Sequence, residues 1–99
     1  MTIRKTRDGD TLLLALEGRL DTTTAPQLQE ALIPEFDQVK NICLDFEELI
    51  YVSSAGLRVI LMGEKTAQKK GAEMTLINVS EEILEIFEMT GFSDILHIK

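Results

Sequence analysis

The sequence predicts an α/β domain in which a mixed central β-sheet carries helices packed against it, in the order β β α β α β α β. Three observations lead there. A short alternating segment and a leucine-rich one are joined by Asp8-Gly9-Asp10. From residue 41 onward, short apolar runs alternate with segments of helical length. A start or stop signal marks most of the junctions between them.

Thr2 to Arg7 alternates in polarity, and Thr11 to Gly18 (TLLLALEG) places Leu12, Leu14 and Leu16 on one face, so the two predict a β-hairpin. Thr24 followed by Gln27 reads as a capping box, and Pro26 is tolerated in a first helical turn; the helix that follows carries Leu28, Ala31 and Leu32 on one side. Pro34 ends or kinks that helix near Ile33, because proline lacks an amide proton and disfavours helical geometry in the residue before it. Asn41 to Phe46 (NICLDF) is mostly apolar on both faces, as for a central strand covered on both sides, or on one side and at an edge.

Ser54 to Lys70 is the longest predicted helix. Leu57, Ile60, Gly63 and Ala67 face the sheet, Ala55, Arg58 and Met62 turn away, and Lys69-Lys70-Gly71 suits its C-terminus. Glu73 to Asn78 (EMTLIN) is a strand. Ser80 then caps a helix with Glu81 and Glu82 in its first turn, Ile83, Leu84, Ile86 and Phe87 as its apolar set and Gly91 as its stop. Asp94 to Ile98 closes the chain as a short strand, and right-handed crossovers join the later strands.

Composition restricts the function. The 99 residues, 44% of them hydrophobic, suit one domain with one core, spanning residues 1–99. A net charge of −7 would repel a phosphate backbone over most of the surface, so neither nucleic acid nor an anionic membrane is an expected partner. No apolar run is long enough for a signal sequence or a membrane span, and direct membrane insertion is not expected. The single Cys43 cannot form an internal disulfide or, alone, a zinc site; it suits a reducing cytoplasm, and no metal or cofactor is expected.

Catalytic constellations are mostly missing. His97 is the only histidine and lies far in sequence from the serines, no phosphate-binding glycine loop is present, and Glu47-Glu48 and Glu81-Glu82 look solvated rather than paired as acid and base. An enzyme is disfavoured. The Ser53-Ser54 pair stands at a helix start, where a serine is ordinarily an N-cap, but the helix it opens is largely apolar on both faces of its first two turns. Ala55, Leu61 and Met62 beside the serines therefore make a candidate partner patch.

Three segments, in order, resemble the STAS domains, and among them the bacterial anti-sigma factor antagonists: EGRLDTTTAP (Glu17 to Pro26), LDFEELIYVSSAGLRVIL (Leu44 to Leu61) and IFEMTGFSDIL (Ile86 to Leu96). The resemblance covers nearly the whole chain and implies the STAS fold. It places the phosphoacceptor on Ser54, by its distance from Gly56 and Leu57, and the family's acidic loop residue on Asp21. Ser53 stands where many phosphorylated relatives carry aspartate and is the alternative acceptor. The partner surface implied around the acceptor takes in Asp21, Thr22 and Thr23 from one loop, and Ser53, Ala55, Gly56, Arg58, Leu61 and Met62 from the helix start.

The activity so implied is partner switching. The unmodified protein binds an anti-sigma factor serine kinase, phosphorylation of Ser54 releases it, and a PP2C-type phosphatase restores the serine. Asp21 is expected either to hydrogen-bond Ser54 or to shape its own turn, and Arg58 either to meet a phosphate or acidic partner or to be solvated. The C-terminal helix of many relatives is expected to be short or absent. The alternative within the fold is a non-cycling STAS subunit of a lipid-transport ABC system.

Overall fold

A computed structural model describes all residues, Met1–Lys99. It contains strands β1 (Thr2–Asp8), β2 (Thr11–Leu20), β3 (Asn41–Val52), β4 (Glu73–Ile77) and β5 (His97–Ile98), with helices α1 (Ala25–Leu32), α2 (Ser54–Lys70) and α3 (Glu81–Thr90). The expected order of strands and helices holds, with two short 3-10 segments added at Ile33–Asp37 and Phe92–Asp94. The sheet runs β1-β2-β3-β4-β5; β1 is antiparallel to β2, and every later pair is parallel.

This topology decides where the core lies. Strands laid down in sequence order with right-handed crossovers put every connecting helix on the same face of the sheet. Pairing sets Leu12, Ile42 and Met74 side by side, then Leu14, Leu44 and Leu76, and all six are buried beneath the helices with Leu28, Leu32, Ile60 and Phe87. On the opposite face Leu13, Ala15, Cys43, Asp45, Thr75 and Ile77 are only half-buried. NICLDF is thus covered on one side alone, although β3 is internal to the sheet.

Three local expectations are corrected and a fourth holds with an addition. β3 continues six residues past Phe46 to Val52, because two β-bulges each add a residue to it opposite β2, and its buried positions change spacing from Ile42, Leu44 and Phe46 to Leu49 and Val52. The capping box at Thr24 does not form: its side chain makes no cap bond, and Gln27 donates instead to the Met1 carbonyl at 2.9 Å. Pro34 ends α1 at Leu32 as expected, and the chain tightens there into the 3-10 segment that buries Phe36. Asp94 belongs to the second 3-10 segment, which shortens the last strand to His97–Ile98.

The remaining helix signals act as expected. Ser80 accepts from the Ile83 amide at 3.3 Å, and Gly71 and Gly91 end α2 and α3 in the left-handed conformation.

Glu64 is the exception in the interior. It is 2% exposed; Oε2 accepts from Gln68 at 2.9 Å and lies 3.7 Å from His97 Nε2, while Oε1 has no partner. Replacing a poorly satisfied buried polar group by an apolar side chain of similar volume is often neutral or stabilising. Glu64→Met is therefore expected to leave stability unchanged or raise it by about 1–4 kcal/mol in a urea melt; a clear loss would mean that the His97 contact holds β5 onto the sheet.

Candidate functional site

The site forms at the carboxyl ends of β2 and β3, the end of a parallel sheet where helix N-termini converge. Leu20 and Val52 are register partners, and the Ser53 amide donates to the Leu20 carbonyl at 2.9 Å. The loop from Asp21 that enters α1 and the serines that enter α2 are thereby fixed next to each other.

The two serines have different work. Ser53 is the N-cap: its backbone is extended (φ −91°, ψ 175°), its Oγ accepts from the Gly56 amide at 3.4 Å, and its carbonyl accepts from Leu57 at 2.9 Å. Ser54 is the first helical residue, is exposed, and its hydroxyl makes no hydrogen bond within the chain. The sequence left both open as acceptors, but only Ser54 presents a free Oγ.

Gly56 explains how α2 reaches this position. A Cβ there would stand 2.6 Å from Leu20 Cγ and 3.0 Å from the Leu20 carbonyl oxygen, and Leu20 is fully buried. Gly56, expected in the partner surface, is instead buried, where it lets the first turn of α2 close onto β2. Two turns further along the helix, a Cβ at Gly63 would stand 2.8 Å from both Leu32 Cδ2 and Met74 Sδ, an approach that is also close but involves side chains and no backbone.

Asp21 shapes its own turn. Its Oδ1 accepts from the Thr23 hydroxyl (2.7 Å), the Thr23 amide (3.0 Å) and the Thr24 amide (3.1 Å), and no hydrogen bond joins it to Ser54. Thr24 closes the loop by accepting from the Asp21 amide and donating to the Arg19 carbonyl, each at 2.8 Å. The Thr23 hydroxyl, outweighing the opposing effect of partial desolvation and aided by the Thr24 and Thr23 amides, holds the Asp21 carboxyl below its usual range.

Of the other expected residues, Thr22, Thr23, Arg58 and Met62 are exposed, while Ala55 and Leu61 are half-buried. Arg58 forms no ion pair; the salt bridges of the chain lie elsewhere. Sequence reasoning missed Ile50 and Tyr51, which the bulges of β3 turn outward just before the serines, 74% and 38% exposed. Arg19 lies over the Tyr51 ring at 4.3 Å and within 3.9 Å of Asp21, linking this apolar ridge to the Asp21 loop. The signal available was LIYV, an apolar run without alternation directly before a helix start.

Little here resembles a reaction centre. His97 sits on β5 beside Thr75, against Glu64 and away from the serines. Burial, with the Asp45 carboxylate adding to it against Lys99, pushes the Cys43 thiol above its usual range, away from the reactive thiolate. No His, Cys, Asp and Glu side chains gather into a metal-binding group, and no helix is long and apolar enough to cross a membrane.

Comparison with known proteins agrees with this architecture. A family model for the STAS domain matches residues 2–99. The anti-sigma-B factor antagonist of Listeria monocytogenes is 37% identical over 98 residues, which is 96% of this chain and 84% of the relative. Among solved structures, an anti-sigma factor antagonist from Mycobacterium paratuberculosis superposes with a TM-score of 0.86 at 16% identity, over 98% of this chain and 83% of that one. The Bacillus cell fate determinant SpoIIAA in its phosphorylated form gives 0.78 at 20% identity, over 99% and 91%.

Two outcomes test how the site is built. Gly56→Ala is expected to destabilise by about 1–3 kcal/mol, despite the roughly 1 kcal/mol that alanine gains over glycine in a helix. Gly63→Ala, meeting side-chain atoms and no backbone, is expected to cost less; equal midpoints in denaturant would refute the close approach at Leu20. The second outcome concerns pH. Because the folded Asp21 titrates low, its stabilisation of the turn is fully present above about pH 4 and is lost as pH falls through the lowered value. A carboxyl NMR titration should show the low midpoint, and Thr23→Ala should move it upward; no movement would remove Thr23 as the main cause.

Proposed function

The chain belongs to the STAS domain family, and we propose that within it this protein works as an anti-sigma factor antagonist, a regulator switched by phosphorylation at Ser54. The observation that carries the reading is the free, exposed Ser54 hydroxyl at the first position of α2, beside the outward-facing Ile50 and Tyr51. Unmodified, this end of the molecule binds an anti-sigma factor serine kinase, with ATP, in the cytoplasm. The kinase moves the γ-phosphoryl group of ATP to Ser54 Oγ: the new O–P bond forms as the bond to ADP breaks, and the hydroxyl proton passes to the kinase. A PP2C-type phosphatase returns the serine by hydrolysis. The protein is then a substrate and a binding partner, not a catalyst.

Magnitudes favour a direct block over refolding. A phosphate adds about −1.5 to −2 charges, whereas an exposed helix N-terminus stabilises a neighbouring anion by only about 0.3–1 kcal/mol. The amides of Ser54 and Ala55 have no backbone partners and accommodate the phosphate locally. An apolar interface that had accepted a hydroxyl would instead have to desolvate a dianion, and each ~1.4 kcal/mol lost weakens binding tenfold. Ser53 is the poorer acceptor because its Oγ already caps the helix.

The test is intact-mass and peptide mass spectrometry after incubation with ATP and the serine kinase encoded in the same genome. One phosphate on Ser54, absent from Ser54→Ala, is expected, together with a loss of kinase affinity of about tenfold or more for Ser54→Asp. Phosphate confined to Ser53 would overturn Ser54 as the acceptor in favour of a re-sited switch, and no phosphate at all would overturn the reading in favour of a non-cycling STAS subunit.

A further inference from the structure

The solvent face of α2 is charged in a way that neither its stability nor the phosphoacceptor explains. The helix carries Arg58, Lys65, Lys69 and Lys70, and its one acid, Glu64, is buried on the other side. Only Lys70 is neutralised, by Asp37 at 2.8 Å. In a chain of net charge −7, three cations thus stand on one face without a carboxylate between them. Lys65 and Lys69 are one turn apart, the spacing at which like charges repel on a helix. The helix dipole favours Lys69 near the C-terminus but disfavours Arg58 near the N-terminus. Between the cations, Leu61, Met62 and Thr66 complete a shallow groove of about 350 Å³.

We propose that this face, from Arg58 to Lys69, is a docking track for an acidic amphipathic segment of the partner that reads Ser54. The proposal rests on the reading given above and adds the chemistry of the contact. Carboxylates on the incoming segment relieve the repulsion among the unpaired cations, and an apolar side chain between them packs on Leu61 and the pliable Met62. The track is about 16 Å long along the helix axis and begins one turn from Ser54, so one partner can occupy both. Charge complementarity selects a protein over a lipid surface: three cations fall short of the clusters of about 4–8 that hold a protein on anionic lipid, and the rest of this chain is acidic.

The experiment measures the affinity of the full chain for the same serine kinase at about 50 and about 300 mM NaCl, with K65E/K69E, leaving Arg58 intact because of its nearness to Ser54. K40E/K99E makes the same change in net charge off the track, and circular dichroism with thermal melting checks that both variants fold. The expected result is a wild-type affinity that falls with salt, a loss of about tenfold or more for K65E/K69E at low salt with a flatter salt dependence, and less than about threefold for K40E/K99E. Equal losses for the two variants would overturn the track while leaving the Ser54 reading intact. Failure of the wild-type chain to bind the kinase would overturn both. Wild-type adsorption to phosphatidylglycerol vesicles that K65E/K69E abolishes, with kinase affinity unchanged, would assign the face to a membrane and overturn the proposal.

Discussion

The first turn of α2 lies so close to the end of β2 that no side chain fits between them: at Gly56 a single added carbon would fall 2.6 Å from Leu20. That approach, with the Ser53 amide held by the Leu20 carbonyl, ties the start of α2 to the two central parallel strands. Ser54 is one residue beyond the tie and has no freedom to retreat into the core, because the cap has already used Ser53 and the buried faces of Leu57 and Ile60 fix the rotation of the helix. The exposed hydroxyl is a consequence of packing beneath it.

Around this point the polar groups are organised so that little changes when charge arrives. Asp21 is engaged by Thr23 and Thr24 within its own loop, Arg19 bridges from that loop to Tyr51, and the Ser54 and Ala55 amides at the start of α2 have no backbone partner. A phosphate on Ser54 would meet no buried cation that could pull a segment across the molecule. Its main effect is electrostatic, at the surface, on whatever sits against Ile50, Tyr51 and the face of α2. A rigid scaffold that changes only its surface charge suits a component that must return to its starting state after each cycle.

Much of this was legible in the sequence because the relevant signals are local. The period-two leucines of β2, the serine caps of α2 and α3, and the glycines that end those helices each act within a few residues, and each element appeared where its signals stood. The illegible features depend on contacts distant in sequence. The bulges of β3 follow from its pairing with β2, and they replace alternation by a spacing of three, so the strand pattern broke off at Phe46 and Ile50 and Tyr51 passed unnoticed. Thr24 and Gln27 have the right spacing for a capping box, but tertiary partners at Arg19 and Met1 claim both side chains. Burial of Gly56 against Leu20 likewise requires two strands and a helix to meet.

The claim that Ser54 phosphorylation acts by surface charge and not by refolding is tested most directly by comparing amide chemical shifts of the unmodified and Ser54-phosphorylated chain. The account predicts changes confined to the first turn of α2, the Asp21 loop and the Ile50–Tyr51 ridge, with the amides of β4, α3 and the far end of α2 unmoved. Shifts spreading through the core at Leu44, Met74 and Phe87 would contradict it and identify a conformational switch in its place.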